Sequence, residues 1–363
     1  MNETSEKVNI NRGSGGTGCK VRSSNLELYR IIAMLLIVAH HYVVNSGLLD
    51  ENGSVYSDLM SEKSIFYLLF GAWGKTAINC FVLITGYFMC KSQITVKKFV
   101  KLLAEVMFYH IMIWLIFMLT GYESFSFGGL IKMLLPVKQV EANFAGCFLI
   151  FYLFIPFLNV LIHSIDQKKH LMLLGLCAFT YILFGTFHKV SMNYVTWFIV
   201  LYIIASYIRL YPKPWFDKNG LWGCLTALSI CVSVLSIICC AWFGNKFGLS
   251  DAYSFVQDSN TFLAVTNGVC SFMFFKNLKV PQSRFVNTVA ASTFGVLLIH
   301  ANSDTMRRWL WKDMLNNVGA YSTSYFALHA IGSVVGIFVI CIVVDHLRIC
   351  FLERPFLNKV FRT

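Results

Sequence analysis

Long apolar segments alternate with short polar ones along almost the whole chain after residue 25. A helix that crosses a bilayer needs about 20 consecutive, mostly apolar residues, and ten segments approach or reach that length. The pattern therefore predicts an all-α polytopic membrane protein with about ten transmembrane helices. The predicted spans are residues 26–45, 65–90, 100–120, 146–163, 171–187, 194–211, 221–243, 259–275, 287–301 and 325–346.

Basic residues in the polar segments predict the orientation. The segments on the side of the two termini hold 21 Lys and Arg, whereas the segments on the other side hold eight. Cytoplasmic loops carry the excess of basic residues, so we expect both termini in the cytoplasm. The chain then divides into a flexible cytoplasmic tail (1–25), a transmembrane domain (26–346) and a cytoplasmic C-terminal tail (347–363).

Two of the segments between predicted spans have the composition of short helices that lie on the membrane surface. They read "GGLIKMLLPV" (128–137) and "MRRWLWKDML" (306–315). Both combine apolar or aromatic residues with basic ones, which is typical of interfacial helices.

Composition agrees with the membrane class and excludes others. The chain is 57% hydrophobic and only 13% charged, whereas soluble domains are about a quarter charged. Its net charge of +12 would suit a nucleic-acid-binding protein, but the basic residues lie between apolar runs, not along one soluble face. Most of the 12 cysteines lie inside apolar runs and no CxxC pair occurs, so we predict neither a disulfide framework nor a metal site.

The first span carries three ionisable residues, Arg30, His40 and His41. Eleven helical steps return to within about 20° of the start, so Arg30 and His41 share one face and lie about 16 Å apart along the axis. His40 lies about 80° away from that face. The geometry suits a long substrate with an anionic head, such as coenzyme A, whose thioester would reach His41 as a general base. The alternative is a snorkelling arginine and histidines that cap a helix end.

The second span contains a lysine near its middle, Lys75. A lysine at the midplane costs on the order of 3 kcal/mol, so we expect it to pair with an acid or to contact an anionic ligand. Glu105 is the candidate acid, although its position in the third span is poor. Asn79 lies on the same face as Lys75. Together with Thr85 and Gly86 these residues are candidates to line a donor tunnel, or simply to pack helices closely.

Later spans offer three more candidates. His300 lies at the outer end of the ninth predicted span, at a depth comparable with His41, where it would bind the acceptor, support the base or simply face the interface. Trp197 and Arg209 are interpreted as interfacial anchors with an alternative role at the site. The other histidines, and Glu353 with Arg354, are interpreted as structural or interfacial. Those histidines are His110, His163, His170, His188, His329 and His346.

Six stretches follow one another in an order typical of a known family. The first is Arg30 and His41 with ten residues between them. The others are "GKTAINCFVLITGYF" (74–88, with Thr85-Gly86 where many members have Ser-Gly), "YLFIPFLN" (152–159), "WFIVLYIIASYIRLY" (197–211), "STFGVLLIH" (292–300) and "LERPF" (352–356). With them, nearly the whole chain after residue 25 resembles the integral-membrane acyltransferase family 3, which O-acylates surface carbohydrates. A Trp-aromatic pair commonly precedes the Pro-Phe-Leu-Asn segment, but this chain reads Asn143-Phe144-Ala145, so no substrate contact is carried over there.

The resemblance implies transfer of an acyl group, which we expect to be acetyl, from cytoplasmic acyl-coenzyme A to a carbohydrate hydroxyl. It implies a multi-pass protein of a bacterial inner membrane that works in the lipid bilayer without metal or nucleic acid, and it leaves homo-oligomer formation open. His41 would be the general base or a transient acyl relay. The implied catalytic residues are His41, Arg30 and His40; the donor-binding residues are Arg30, Lys75, Asn79, Thr85, Gly86 and Arg209; and the acceptor-binding residues are His300 and Trp197.

A transporter of a lipid-linked glycan is the alternative function, because ionisable residues in a membrane also mark transport paths. The sequence shows neither an inverted repeat nor paired broken helices in matching halves, which many transporters have. A membrane sensor is a third interpretation, but it gives Arg30 and His41 no role.

Overall fold

The computed structural model describes residues 23–50, 52–135, 144–188, 190–248 and 252–361. The first 22 residues of the predicted N-terminal tail lie outside this part of the chain. The protein is 78% helical, and the described residues contain no strand, in agreement with the predicted all-α class.

Seventeen α-helices follow one another in the described residues. They are α1 (Ser24–Val44), α2 (Glu62–Gly71), α3 (Gly74–Met89), α4 (Val96–Leu119), α5 (Phe127–Leu134), α6 (Phe144–Ser164), α7 (Gln167–Cys177), α8 (Phe184–Phe187), α9 (Tyr194–Leu210), α10 (Asn219–Phe247), α11 (Phe262–Asn277), α12 (Arg284–Ala291), α13 (Thr293–His300), α14 (Asp304–Arg308), α15 (Asn317–Tyr321), α16 (Phe326–Arg348) and α17 (Arg354–Val360). A 3₁₀ turn covers Pro214–Asp217, and π-helical segments cover Ala178–Leu183, Trp309–Met314 and Ile349–Glu353.

Seven helical segments of the described chain are long and apolar enough to cross a membrane. An eighth arises if the bent pair Arg284–His300 and Asp304–Met314 forms one span. Helices α9 and α11 coincide with two further predicted spans but are shorter, with 17 and 16 residues. The protein is therefore a multi-pass membrane protein, whereas the count of ten and the orientation of the termini stay predictions.

Helices α1 and α3 form the centre of the bundle. Helix α1 packs against α3, α11, α12, α13 and α16, and α3 packs against α9 and α11. In an apolar stretch of 18 residues taken from each span, 50% of the residues are buried in α1 and 61% in the span formed by α2 and α3. The share is 22% in α10 and 11% in the span from Gln167 to Phe187. Gly86 allows the close approach of α3 to α9, because a Cβ there would lie 2.9 Å from the Cβ of Ala205.

Short helices occupy both stretches that the sequence assigns to the membrane surface. Helix α5 begins after Ser126, whose hydroxyl accepts a hydrogen bond from the backbone N–H of Gly129. Residues 136 and 137 of that stretch lie outside the described part. After His300 the chain bends by 92°, so that Asp304–Met314 runs across the preceding helix pair.

Ion pairs join α4 to the end of α16, and we call this group the Arg348 cluster (Arg348, Glu105, Asp345, Glu353 and Lys101). The Arg348 guanidinium contacts Glu105 at 3.1 Å, Asp345 at 2.8 Å and Glu353 at 2.9 Å. Lys101 contacts Glu353 at 2.7 Å. These contacts tie Glu353 back to the bundle, and the chain after residue 346 continues as helix to Val360. Glu353 therefore has the structural role that the sequence suggested.

Candidate functional site

A cavity of ≈ 220 Å³ opens where α1, α3, α4, α6, α9, α13 and α14 meet, and we call it the histidine cavity. Its lining contains three histidines and two cations, and no acidic side chain belongs to the described residues that line it. The polar and charged members are His40, His41, His110, Lys75, Arg307, Asn45, Asn302 and Tyr194. The other members are Ile37, Val44, Gly74, Ile78, Phe144, Ala145, Leu297, Leu298 and Ala301.

His41 and His300 form a hydrogen-bonded pair at the edge of this cavity. Nδ1 of His41 lies 2.9 Å from Nε2 of His300, and Nδ1 of His300 lies 2.6 Å from the backbone oxygen of Val296. A carbonyl oxygen only accepts, so His300 must donate from Nδ1, and the Nε2 of its neutral ring is an acceptor. His41 then donates from Nδ1. Its own Nε2 is left with a free lone pair, which is what a general base requires.

His40 is held beside the pair by the break between α2 and α3. Nδ1 of His40 lies 2.6 Å from the backbone oxygen of Gly71, at the C-terminal end of α2, where carbonyls lack helical partners. The ring sits directly against Gly74: a Cβ at that position would lie 2.2 Å from Cγ of His40. Glycine is therefore required for this close approach. His40 lines the same cavity as His41, although the helical period places it off the Arg30 face.

The sequence predicts that Lys75 pairs with an acid or contacts an anionic ligand, and the acid that attracts its charge is Asp258, not Glu105. The Nζ of Lys75 donates to the hydroxyl of Tyr194 at 3.0 Å, and no ion pair includes it within the described ranges. The expected candidate, Glu105, pairs with Arg348 instead. Lys75 thus remains a cation at the cavity, available to an anionic ligand or to a developing negative charge.

Five polar residues of the cavity were not assigned to the site from the sequence, namely His110, Arg307, Asn45, Asn302 and Tyr194. His110 was interpreted as structural or interfacial, and Arg307 belongs to the segment that the sequence assigns to the membrane surface. Arg307 lies seven residues after His300, and that proximity to a candidate histidine was the available signal. The sequence around His110 does not indicate a site residue, because the position of His110 in the cavity depends on how α4 packs against the other helices.

Phe144 and Ala145 line the cavity, at the point where the chain departs from the family pattern. The sequence carried no substrate contact over to this position. Both residues belong to the lining of the cavity that the histidines also line, so a ligand in the cavity would contact them. Asn143, which precedes them, lies outside the described residues.

The remaining predicted site residues lie away from the cavity lining. Asn79 and Trp197 bond to each other, with Trp197 Nε1 donating to Asn79 Oδ1 at 2.9 Å, and Asn79 also donates to the backbone oxygen of Ser259. Thr85 donates to the backbone oxygen of Phe81 within its own helix. These contacts serve helix packing, so ligand roles for Asn79, Thr85, Gly86 and Trp197 stay predictions.

The two predicted phosphate-binding arginines also lie outside the cavity lining. Arg30 is partly buried, and its Nη1 lies 3.4 Å from Oε2 of Glu27, one turn earlier on α1. Arg209 donates to the hydroxyl of Tyr87 at 2.8 Å and stacks over its ring. Arg30 and His41 belong to one uninterrupted helix, as the sequence predicted. Whether either arginine binds a phosphate stays a prediction.

The arrangement provides a histidine with a free ring nitrogen, two cations and a small space. At ≈ 220 Å³ the cavity is smaller than typical ligand pockets of about 300–1,000 Å³, so it suits the reacting ends of two substrates better than one whole large molecule. Across the described residues, no group of three or more His, Cys, Asp and Glu has the arrangement of a metal site.

Comparison with known proteins gives one match. A family model described as an acyltransferase domain matches residues 23–346, which is most of the chain. The searches of curated proteins and of solved structures found no match.

Proposed function

The chain belongs to the integral-membrane acyltransferase family 3, and on that premise we propose that it moves an acetyl group from cytoplasmic acetyl-coenzyme A to a hydroxyl of a surface carbohydrate or its lipid-linked precursor. The observation that carries the proposal is the His41–His300 pair, which leaves Nε2 of His41 as a base at the edge of a positively charged cavity. Such a base needs a substrate hydroxyl within hydrogen-bond reach, and a carbohydrate supplies one.

The donor reaches the cavity along α1. Arg30 lies eleven residues before His41, about 16 Å away on a helix, a distance that an extended pantetheine arm spans. Arg30 and Arg209 hold phosphates of coenzyme A at that end, because a guanidinium binds phosphate oxygens in pairs. The thioester then lies in the histidine cavity. This donor path requires the orientation predicted from the Lys and Arg residues, with both termini in the cytoplasm. The cavity then lies in the outer half of a bacterial inner membrane.

The positions of the protons on His41 and His300 determine how the acetyl group is transferred. Nε2 of His41 takes the proton of the acceptor hydroxyl, and the hydroxyl oxygen attacks the thioester carbonyl carbon. The carbon–sulfur bond breaks, and the departing thiolate receives the proton from His41. His300 stabilises the transient positive charge on His41 by accepting from Nδ1, and Lys75 faces the negative charge that develops on the carbonyl oxygen.

A covalent variant uses the same residues. Nε2 of His41 would attack the thioester carbonyl carbon, the carbon–sulfur bond would break and the thiolate would leave. The acceptor hydroxyl would then attack the acetyl carbon, its proton would pass to the thiolate, and the bond between that carbon and Nε2 would break. Both routes need the free lone pair on Nε2. They differ in whether acetyl-labelled protein accumulates when the acceptor is withheld.

Reconstitution in liposomes tests the proposed function against transport of a lipid-linked glycan. Purified protein is supplied with radiolabelled acetyl-coenzyme A and membranes that contain the native glycan. We expect label in the glycan and no movement of unmodified glycan across the bilayer. Glycan movement without use of acetyl-coenzyme A would refute the enzyme and establish the transporter.

A further inference from the structure

Arg307 is a cation of the histidine cavity to which the proposed reaction gives no role. It lies on α14, directly after the 92° bend that follows His300. The hydroxyl oxygen of Ser303 caps this helix by accepting from the backbone N–H of Met306 at 3.1 Å. The bend and the cap together turn Arg307 towards the cavity, whereas its neighbour Arg308 is exposed and does not line it.

The guanidinium of Arg307 is only partly satisfied. Nη1 donates to Asp304 at 2.8 Å, Nη2 lies 3.5 Å from the backbone oxygen of Ala301, and the buried Nε has no acceptor among the described residues. The Asp304 side chain is 98% exposed, so water screens this ion pair. Exposed pairs contribute little stability, and an incoming anion can replace Asp304 at small cost.

Asn45 supplies a second donor without a partner. Its side-chain nitrogen is buried and has no acceptor in the part of the chain that the structure describes, and the residue lines the same cavity. Two buried donors at one cavity lack acceptors, and buried polar groups are normally paired. A ligand rich in acceptor oxygens would pair both. Lys75 adds positive charge, so a negatively charged oxygen group fits better than a neutral one.

This anionic group belongs to the acceptor and not to the donor. The phosphates of coenzyme A are assigned to the Arg30 end of α1, about 16 Å from His41. Arg307 follows α13 and the cavity-lining residues Ala301 and Asn302, at the opposite end of the proposed donor path. A carboxylate of an acidic sugar and a phosphate that joins a sugar to its neighbour or its lipid carry the same chemistry.

We propose that Arg307, with Asn45, binds an anionic group of the acceptor, so that the enzyme selects glycans that carry a carboxylate or a phosphate near the acetylated hydroxyl. The proposal rests on the acetyl transfer proposed above. Arg307 is a specificity residue here: its side-on Nε and Nη donors grip two oxygens of one anion, and His41 acts on the neighbouring hydroxyl.

Competition in native membranes tests the assignment. Membranes that contain the protein and its own glycan are given radiolabelled acetyl-coenzyme A, and label in the glycan is measured with added glucuronate, glucose 1-phosphate or glucose. We expect inhibition by one or both anionic sugars, not relieved by excess acetyl-coenzyme A, and none by glucose. Inhibition by glucuronate alone identifies a carboxylate, and inhibition by glucose 1-phosphate alone identifies a phosphate.

Two variants connect this inhibition to the residue. Arg307→Gln should weaken inhibition by the anionic sugar roughly ten- to a hundredfold, the usual effect of losing one charge-assisted contact, and leave the apparent KM for acetyl-coenzyme A unchanged. Arg308→Gln removes the same charge from the same helix outside the cavity and should behave like the wild type.

Three results would overturn this inference and leave the acetyl transfer intact. They are equal inhibition by glucose and by both anions, no inhibition by either anion, and the same inhibition in wild type and Arg307→Gln. A wild type that transfers no label at all would instead overturn the proposed function.

Discussion

The histidine cavity and the Arg348 cluster both hold charged or polar side chains inside the same bundle, but they differ in how far those groups are paired. In the cluster, Arg348 contacts three carboxylates and Lys101 contacts one of them. In the cavity, Lys75 bonds to a tyrosine hydroxyl and is attracted electrostatically by Asp258, which does not line the cavity, and Arg307 Nε and Asn45 Nδ2 have no acceptor among the described residues.

This difference distinguishes buried charged groups that stabilise the fold from buried charged groups that bind a ligand. A buried ion pair that is complete stabilises one arrangement of the helices, and removing one partner leaves an uncompensated charge. Buried donors that face a cavity without partners are costly for folding, and they are retained where a ligand satisfies them. Burial and charge alone would make the Arg348 cluster the stronger candidate for a functional site. Each region holds two buried atoms without a hydrogen bond, but those of the cluster, Glu105 Oε1 and Asp345 Oδ2, belong to acids that contact Arg348, whereas no acid among the described residues lines the cavity beside its cations.

The strongest change on the cluster side is Arg348→Leu. It leaves Glu105, Asp345 and Glu353 buried with Lys101 as their one remaining cation in the cluster, so we expect a loss of about 3–5 kcal/mol in stability. Thermal unfolding of the detergent-solubilised protein should show it as a large drop in the midpoint. Protein that stays folded should retain acetyl transfer.

Arg354→Leu is the matched control, because Arg354 is an exposed arginine six residues further along the chain. It should leave the unfolding midpoint nearly unchanged. Equal midpoints for the Arg348 and Arg354 variants would show that the cluster does not stabilise the fold.

On the cavity side, Gly74→Ala tests the close packing of His40. The new Cβ would lie 2.2 Å from Cγ of His40, so the ring or helix α1 must move. Overpacking of this kind costs about 1–3 kcal/mol, and we expect roughly a ten- to hundredfold loss of acetyl transfer because the displaced groups surround the base. Gly336→Ala adds the same methyl group on α16, where nothing lies within 4 Å, and should have no effect. Full activity in Gly74→Ala would mean that the position of His40 is unimportant.

A smaller effect is expected at His300, a positioning residue. His300→Ala removes the acceptor for Nδ1 of His41, and one net hydrogen bond contributes about 0.5–1.5 kcal/mol, so kcat should fall up to roughly tenfold. His300→Gln keeps a side-chain oxygen that can accept, and it should recover part of this loss at an unchanged KM for acetyl-coenzyme A. If glutamine gives no recovery over alanine, His300 does not act through that hydrogen bond.

Much of the fold could be predicted because helix positions depend on local sequence. Residues 26–45 were predicted as a helix and form Ser24–Val44, and residues 221–243 lie within Asn219–Phe247. Long apolar runs suffice for this, since each backbone group in a membrane must be bonded within its own helix. The same local reasoning placed Arg30 and His41 on one helix.

The site could be predicted only in part, because its geometry depends on contacts between distant segments. His41 and His300 are 259 residues apart in the chain, and no period of one helix predicts that their rings meet. His40 also lines the cavity, and its ring packs against Gly74 of another helix, a contact that the period of α1 alone does not predict. Helix packing likewise brings in His110 and pairs Glu105 with Arg348, so the sequence missed the first and misplaced the second.

If Nε2 of His41 performs the chemistry, the rate of single-turnover acetyl transfer depends on this side chain, whereas binding of the donor does not. Purified wild type, His41→Ala and His163→Ala are mixed with radiolabelled acetyl-coenzyme A and the native glycan, and binding of acetyl-coenzyme A is measured in parallel. His163 is a matched histidine that contacts the backbone oxygen of Cys90 and does not line the cavity. We predict that His41→Ala binds the donor normally but transfers acetyl about 10²–10⁴-fold more slowly, whereas His163→Ala matches the wild type. Transfer by His41→Ala at the wild-type rate would show that Nε2 of His41 is not the reacting group.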